Sequence, residues 1–252
     1  MIPMPKRNTV EDAAAIEASA RVRSALARSD GSALLGELGR VAGGSTPATA
    51  DPSNWGGDIV WVTPKDLGRP RTVEICSSER TITEKAWPNF SDRLLPAGTV
   101  LFSCRAPIGH VGIAGVPLCT NQGFKNIVCS EDLEPRFLFH MLRGAIPEVE
   151  AQGRGNTFHE IGAKVIKRLP VPVPDLARQA AVAAVLDDFY LRLAGTSADA
   201  LAAPDVLVDL YDELGFIGLA EQIVALHRLH ATVGERLKDL LPALLSYADA
   251  GS

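Results

Sequence analysis

The sequence predicts an α+β chain with an N-terminal helix over 1–30, a mainly β domain over 31–175 and a long helical arm over 176–252. Three observations predict it. Residues 9–28 hold no Gly or Pro. From Leu34 to Pro174, short apolar or β-branched runs are separated by Gly, Pro, Asn and Asp. The last segment carries apolar residues at alternating spacings of four and three. With 252 residues, 46% of them hydrophobic, the chain can bury one substantial core.

The first helix is rich in Ala, with Glu11 and Asp12 early and Arg28 late, as the helix dipole favours. Its apolar residues are mostly Ala, which leaves two readings open: a lid packed on the domain, or a helix that faces a partner. The β domain is read from runs such as Ile59–Val62, Thr99–Phe102, Val111–Ala114 and Asn126–Cys129. A helix interrupts it at 134–143, with Pro135 in its first turn, and a shorter one fits 158–168. Leu169-Pro170-Val171-Pro172-Val173-Pro174 excludes helix and predicts a stiff extended post.

Beyond that post, 176–193 turns helical, and 194–218 is a looser stretch containing Gly, Pro and Asp. Leu219, Ile223, Leu226, His230, Val233, Leu237, Leu240 and Leu244 then follow one another as the seam of a coiled coil. Val182, Val185 and Phe189 begin a similar pattern on the earlier helix. The arm therefore reads as two helices, or one interrupted helix, that pair with a helical partner through these residues. Pro242 loosens its end.

A net charge of −5 and a pI near 5.6 argue at first against a nucleic-acid partner. The charge is unevenly spread. Residues 31–175 hold 15 Lys and Arg against 15 Asp and Glu, whereas 176–252 hold 5 against 11, so a local basic face on the β domain stays available. Cys76, Cys104, Cys119 and Cys129 form no C-x-x-C pair and read as reduced, mostly buried residues. The start does not resemble a signal peptide, and no apolar run approaches the roughly 20 residues a bilayer requires. The expectation is a cytoplasmic protein without a membrane partner.

Several chemistries are weak on residue grounds. His227 and His230 lack a third ligand at metal spacing, and the seam position of His230 suits a residue that fixes register. Cys104 and His110 lie on a turn without the context of a thiol protease. A Gly-rich cofactor loop with an Asn-Pro-Pro-aromatic or Pro-Cys motif would mark a methyltransferase, and none occurs. Pro64-Lys65-Asp66 and Glu84-Lys85 hold nuclease residue types in the wrong arrangement. The expectation is no catalytic residue and no metal.

What remains is two polar loops around glycine. Thr120-Asn121-Gln122-Gly123-Phe124-Lys125 and Gly153-Arg154-Gly155-Asn156-Thr157-Phe158 offer amides suited to adenine, arginine suited to guanine, and lysine and hydroxyls suited to phosphate. Such loops are common in β domains, so composition alone leaves DNA reading open. For Lys65, Arg105, Lys125 and Arg154 two roles stand side by side, phosphate contact and structural salt bridge. For Trp55, Trp61, Phe102 and Phe124 a core role is favoured.

Six blocks, taken in order, resemble the target-recognition domain of type I restriction-modification specificity subunits. They are Gly36-Glu37-Leu38-Gly39 with Gly43-Gly44-Ser45-Thr46-Pro47; the stretch from Asn54 to Leu67 with Ile82-Thr83-Glu84-Lys85; Leu94 to Gly109; Thr120 to Lys125; Gly155-Asn156-Thr157-Phe158; and the Pro170–Pro174 post. The resemblance covers roughly 34–190. It implies a domain that grips half of a split target in double-stranded DNA, with Lys65, Ser103, Arg105, Asn121, Gln122, Lys125, Arg154, Asn156 and Thr157 as candidate DNA contacts.

It also implies partners. A DNA methyltransferase subunit would bring S-adenosylmethionine, and a restriction subunit, where one joins, would bring ATP and Mg; this chain needs no cofactor. Such readers normally carry two recognition domains, and here there is one domain and one arm. Two copies joined antiparallel through 178–193 and 219–245 would restore the pair, with an interrupted palindrome as target. The competing reading is an adaptor or inhibitor that docks on restriction-modification subunits without binding DNA.

Overall fold

The computed structural model describes residues 9–67, 72–105, 107–153 and 160–193. The seam residues Ile223, Leu226, His230, Val233, Leu237 and Leu240 lie outside the described residues, as do Arg154, Asn156 and Thr157. Among the described residues, no helix is long and apolar enough to cross a membrane. Residues Met1–Thr196 form one compact unit.

Helix α1 (Val10–Ser29) is capped by Thr9, whose hydroxyl accepts from Asp12 N at 3.2 Å. Strand β1 (Ser32–Leu34), helix α2 (Leu35–Leu38) and strand β2 (Gly39–Gly43) follow, then β3 (Trp55–Val62), α3 (Pro64–Leu67), β4 (Glu74–Ile75) and β5 (Arg80–Ile82). Strands β6 (Val100–Ser103), β7 (Val111–Ala114), β8 (Leu118–Thr120) and β9 (Phe124–Cys129) lead to α4 (Pro135–Gly144) and α5 (Ile146–Gly153). Helix α6 (Ala163–Lys167), strand β10 (Pro170–Pro172) and α7 (Leu176–Leu193) complete the described chain.

The strands form a five-stranded sheet in the order β2-β9-β6-β7-β4, a three-stranded sheet β5-β3-β8 and a ribbon β1-β10. Val62, Leu67, Ile75, Leu95, Leu101, Ala114, Leu118 and Phe124 form one buried cluster that joins the two larger sheets. Alternation along β6 sends Val100 and Phe102 to the opposite face from Leu101, and α4 packs against β6 and β7. Trp61, Phe102 and Phe124 are core residues, as expected, while Trp55 is only half-buried. The proline post is an edge element, its β10 pairing antiparallel with β1.

The helices make a third layer, and α1 packs onto α4 and α7, which decides for the lid reading. Its small residues serve close approach, since a Cβ on Gly144 of α4 would stand 2.7 Å from the backbone of Ser19 and Ala20. Across this contact Arg143, 1% exposed, donates to Asp12 Oδ1 at 2.7 Å and to the Tyr190 hydroxyl at 3.0 Å. Nearby, His140 Nε2 lies 2.8 Å from Asp187 Oδ1, and Arg136 pairs with Asp187 and Glu74.

One expectation for the arm is corrected. Val182, Val185 and Phe189 are 0–1% exposed within the chain itself. Their spacing marks the inward stripe of α7, covered by the protein's own helices, so these three residues are not free to pair with a second copy. The short helix expected at 158–168 is confined, among the described residues, to Ala163–Lys167, and α5 follows α4 where none was expected.

Candidate nucleic-acid interface

Strand ends bring four of the quoted blocks to one rim. In the β6–β9 pair Ser103 faces Phe124 and Phe102 faces Lys125, and Cys104 N donates to Gly123 O at 2.7 Å. Asn121 N donates to Val62 O at 3.0 Å, and Ser45 N to Thr120 O at 2.8 Å. The 43–47 turn, the end of β3, the 103–105 segment and the 120–125 loop therefore share an edge. Gly44 permits it, because a Cβ there would fall 1.9 Å from Asn121 O and 2.3 Å from Thr120 Oγ1.

The candidate residues on this rim differ in how free they are. Gln122 is exposed, and its Oε1 accepts from Thr46 Oγ1. Asn121 is half-buried; its Oδ1 accepts from Gly123 N at 2.9 Å and so shapes the loop. Lys65 is exposed and pairs with Glu79 at 3.1 Å. Arg105, also exposed, pairs with Glu160 at 2.9 Å. Lys125 is more enclosed, its Nζ 3.3 Å from Cys104 Sγ and 3.6 Å from Glu160 Oε1.

Glu160 thus counters two cations at once. The Arg105 hydrogen bond holds its carboxyl below the usual carboxylate range, so it stays ionised at neutral pH. In the free chain the salt-bridge role holds for Lys65, Arg105 and Lys125.

Ser103 is corrected from a DNA contact to a structural residue. It is fully buried, and its Oγ donates to Pro107 O and accepts from His110 N, both at 2.8 Å. Cys104 is also buried, and burial pushes its thiol up, the opposite of an activated nucleophile. Among the described residues no group of three or more His, Cys, Asp and Glu could hold a metal ion.

Thr46, Glu79 and Glu160 were not singled out from the sequence. Thr46 lies 76 residues from Gln122 and Glu160 lies 55 from Arg105, separations over which side-chain pairing leaves no local pattern.

Residues 33–201 match the family described as the type I restriction modification DNA specificity domain. The chain belongs to that family. The curated relatives it matches are named specificity subunits, not methyltransferases or nucleases. It is 41% identical over 155 residues to the type I restriction enzyme MjaIX specificity subunit of Methanocaldococcus jannaschii, an alignment that covers 61% of this chain and 36% of that protein. To the EcoR124I/EcoR124II specificity subunit of Escherichia coli it is 32% identical over 162 residues, covering 62% and 39%. The chain therefore spans well under half the length of these relatives.

The fold of the specificity domain agrees with a solved relative. The crystal structure of the HsdS subunit from Thermoanaerobacter tengcongensis superposes with a TM-score of 0.52 at 20% identity, covering 84% of this chain and 52% of that one.

Proposed function

We propose that the chain reads a short DNA sequence and directs a partner DNA methyltransferase to it, without catalytic residues of its own. The observation that carries this reading is the convergence of the 43–47, 62–65, 103–105 and 120–125 segments on one rim of a DNA specificity domain. Exposed Gln122 offers amide readout, and Lys65, Arg105 and Lys125 offer charge for the backbone. The setting is the cytoplasm. S-adenosylmethionine belongs to the methyltransferase, and ATP and Mg to a restriction subunit where one joins.

The target is an interrupted palindrome, read by two copies of this chain. With the inward stripe of α7 buried, pairing falls to the 219–244 seam. A symmetric dimer presents one readout twice, and the arm sets the spacer.

The test is a gel shift of the full chain, alone and with its cognate methyltransferase, from 50 to 200 mM salt, followed by mapping of protected sites. Binding that weakens steeply as salt rises supports the reading. Absence of duplex binding even beside the methyltransferase refutes it, and an asymmetric target refutes the homodimer. One observation favours an adaptor that does not bind DNA: all three rim cations are countered by glutamates of the same chain. Co-purification with the methyltransferase but no duplex affinity would select it.

A further inference from the structure

All three tryptophans of the chain, Trp55, Trp61 and Trp87, gather with Ile82, Ala86 and Cys119 about the small β5-β3-β8 sheet. Each of them has an arginine over its ring, Arg93 at 5.1 Å from the Trp87 centroid and Arg80 over the other two. Arg80 Cζ lies 3.5 Å from the centroid of the Trp55 ring and 5.6 Å from that of Trp61, and the two indoles meet edge to face at 5.1 Å. Arg80 is exposed. Unlike Lys65, Arg105 and Lys125, it has no carboxylate partner among the described residues.

The stack is tied to the candidate rim. Trp61 sits opposite Arg80 in the β3–β5 pair. Its Nε1 donates to Ser45 O at 3.0 Å, in the turn whose backbone holds Thr120. The β5 edge is therefore continuous with the edge that presents Gln122.

We infer that Arg80, stacked on Trp55, is a pre-organised anchor for a phosphate of the bound duplex. The inference rests on the DNA-reading function above. A guanidinium laid flat on an indole spends its face on the ring and keeps its in-plane N–H groups at the edge, the geometry that grips a phosphate with two parallel bonds. Stacking also restrains a side chain that would otherwise lose rotamer freedom on binding. The rim cations must exchange a glutamate for phosphate, and among the described residues Arg80 has no carboxylate to exchange. Of the two stacked arginines it lies closer to its ring, at 3.5 Å against 5.1 Å for Arg93 on Trp87, and its stack is the one tied to the rim through Trp61.

The test uses the full chain with its methyltransferase, Arg80→Gln, which keeps a planar group over Trp55 without the charge, and fluorescence anisotropy on the mapped target and a scrambled duplex. The expected result is a loss of about 3- to 10-fold on both duplexes at 100 mM salt, with the salt slope reduced by about one. A thermal melt checks the fold. Should the variant melt early, iodide quenching of the unmodified protein decides: the duplex should shield a tryptophan component that is missing in Trp55→Phe.

Wild-type affinity and slope for Arg80→Gln, or no shielding, overturns the inference while the DNA-reading function stands. Loss on the mapped target alone overturns it too, in favour of a base contact. If the unmodified complex binds neither duplex, the function and the inference fall together.

Discussion

Replacing Glu160 with Gln should tighten binding to any duplex. Its Oε2 accepts from Arg105 and its Oε1 faces Lys125 at 3.6 Å, so a duplex that recruits both cations must break two surface ion pairs, the Lys125 one partly enclosed. Such pairs contribute ~0.2–1 kcal/mol each, which sums to about 0.4–2 kcal/mol, or roughly 2- to 30-fold in affinity. The substitution also raises the local charge by one, and each additional phosphate neutralised steepens the dependence of log affinity on log salt by about 0.9. Because Arg105 holds the Glu160 carboxyl below its ordinary range, the masking is already complete at pH 7. The assay is anisotropy on a scrambled duplex from 50 to 200 mM salt, with Glu17→Gln on the far layer as the control for generic charge. Unchanged affinity and slope, or weaker binding at 50 mM salt, would refute the reasoning.

The helix layer gives two further expectations and the rim a third. Arg143→Met removes the guanidinium that faces buried Asp12 and should cost about 3–5 kcal/mol in denaturant unfolding, most of it recovered by adding Asp12→Leu. Burial pushes His140 below its usual value despite the Asp187 carboxylate, with Arg136 and Arg143 adding to the effect and the Tyr190 ring against it. The unfolded chain therefore takes up a proton near pH 6.5 that the folded chain refuses. Stability from this site is full above that pH and falls as pH drops toward the folded value, and melting curves of His140→Gln should lack that part of the slope. Gly44→Ala drives a Cβ into Asn121 O and should cost about 1–3 kcal/mol of stability, with duplex affinity falling alongside it in the gel shift.

What was legible in the sequence followed local pattern. Val111–Ala114 and Leu176–Leu193 fall where a short apolar run and helical character placed them, because both signals are written in neighbouring residues. Pro135 marks the start of α4 for the same reason. The role of α7 was misread, since a spacing of three and four describes an inward stripe as well as a coiled-coil seam, and only the presence of α4 and α1 separates them. Ser103 was misread because a hydroxyl beside a turn looks the same whether it faces solvent or closes the turn. Gln179 carried no signal either, yet its side chain accepts from Glu134 N and donates to the carbonyls of Asp132 and Pro174, each at 2.9 Å. It pins the start of α7 to the start of α4 across 45 residues.

The two kinds of ionic contact divide the molecule by purpose. In the helix layer the polar groups are buried or half-buried, and Arg143 is hydrogen-bonded to Asp12 and Tyr190 and Asp187 to Arg136 and His140. Breaking one partner is expensive there, so α1, α4 and α7 hold a single arrangement. At the rim the Lys65 and Arg105 pairs are exposed and cheap to exchange. A reader of DNA requires both properties. Its recognition loops must give up internal partners for phosphate at little cost, and the helix that leaves the domain must hold its direction while they do. If the buried set were loosened, as in Arg143→Met with Asp12→Leu, the rim contacts would survive; what would suffer is the fixed direction of α7.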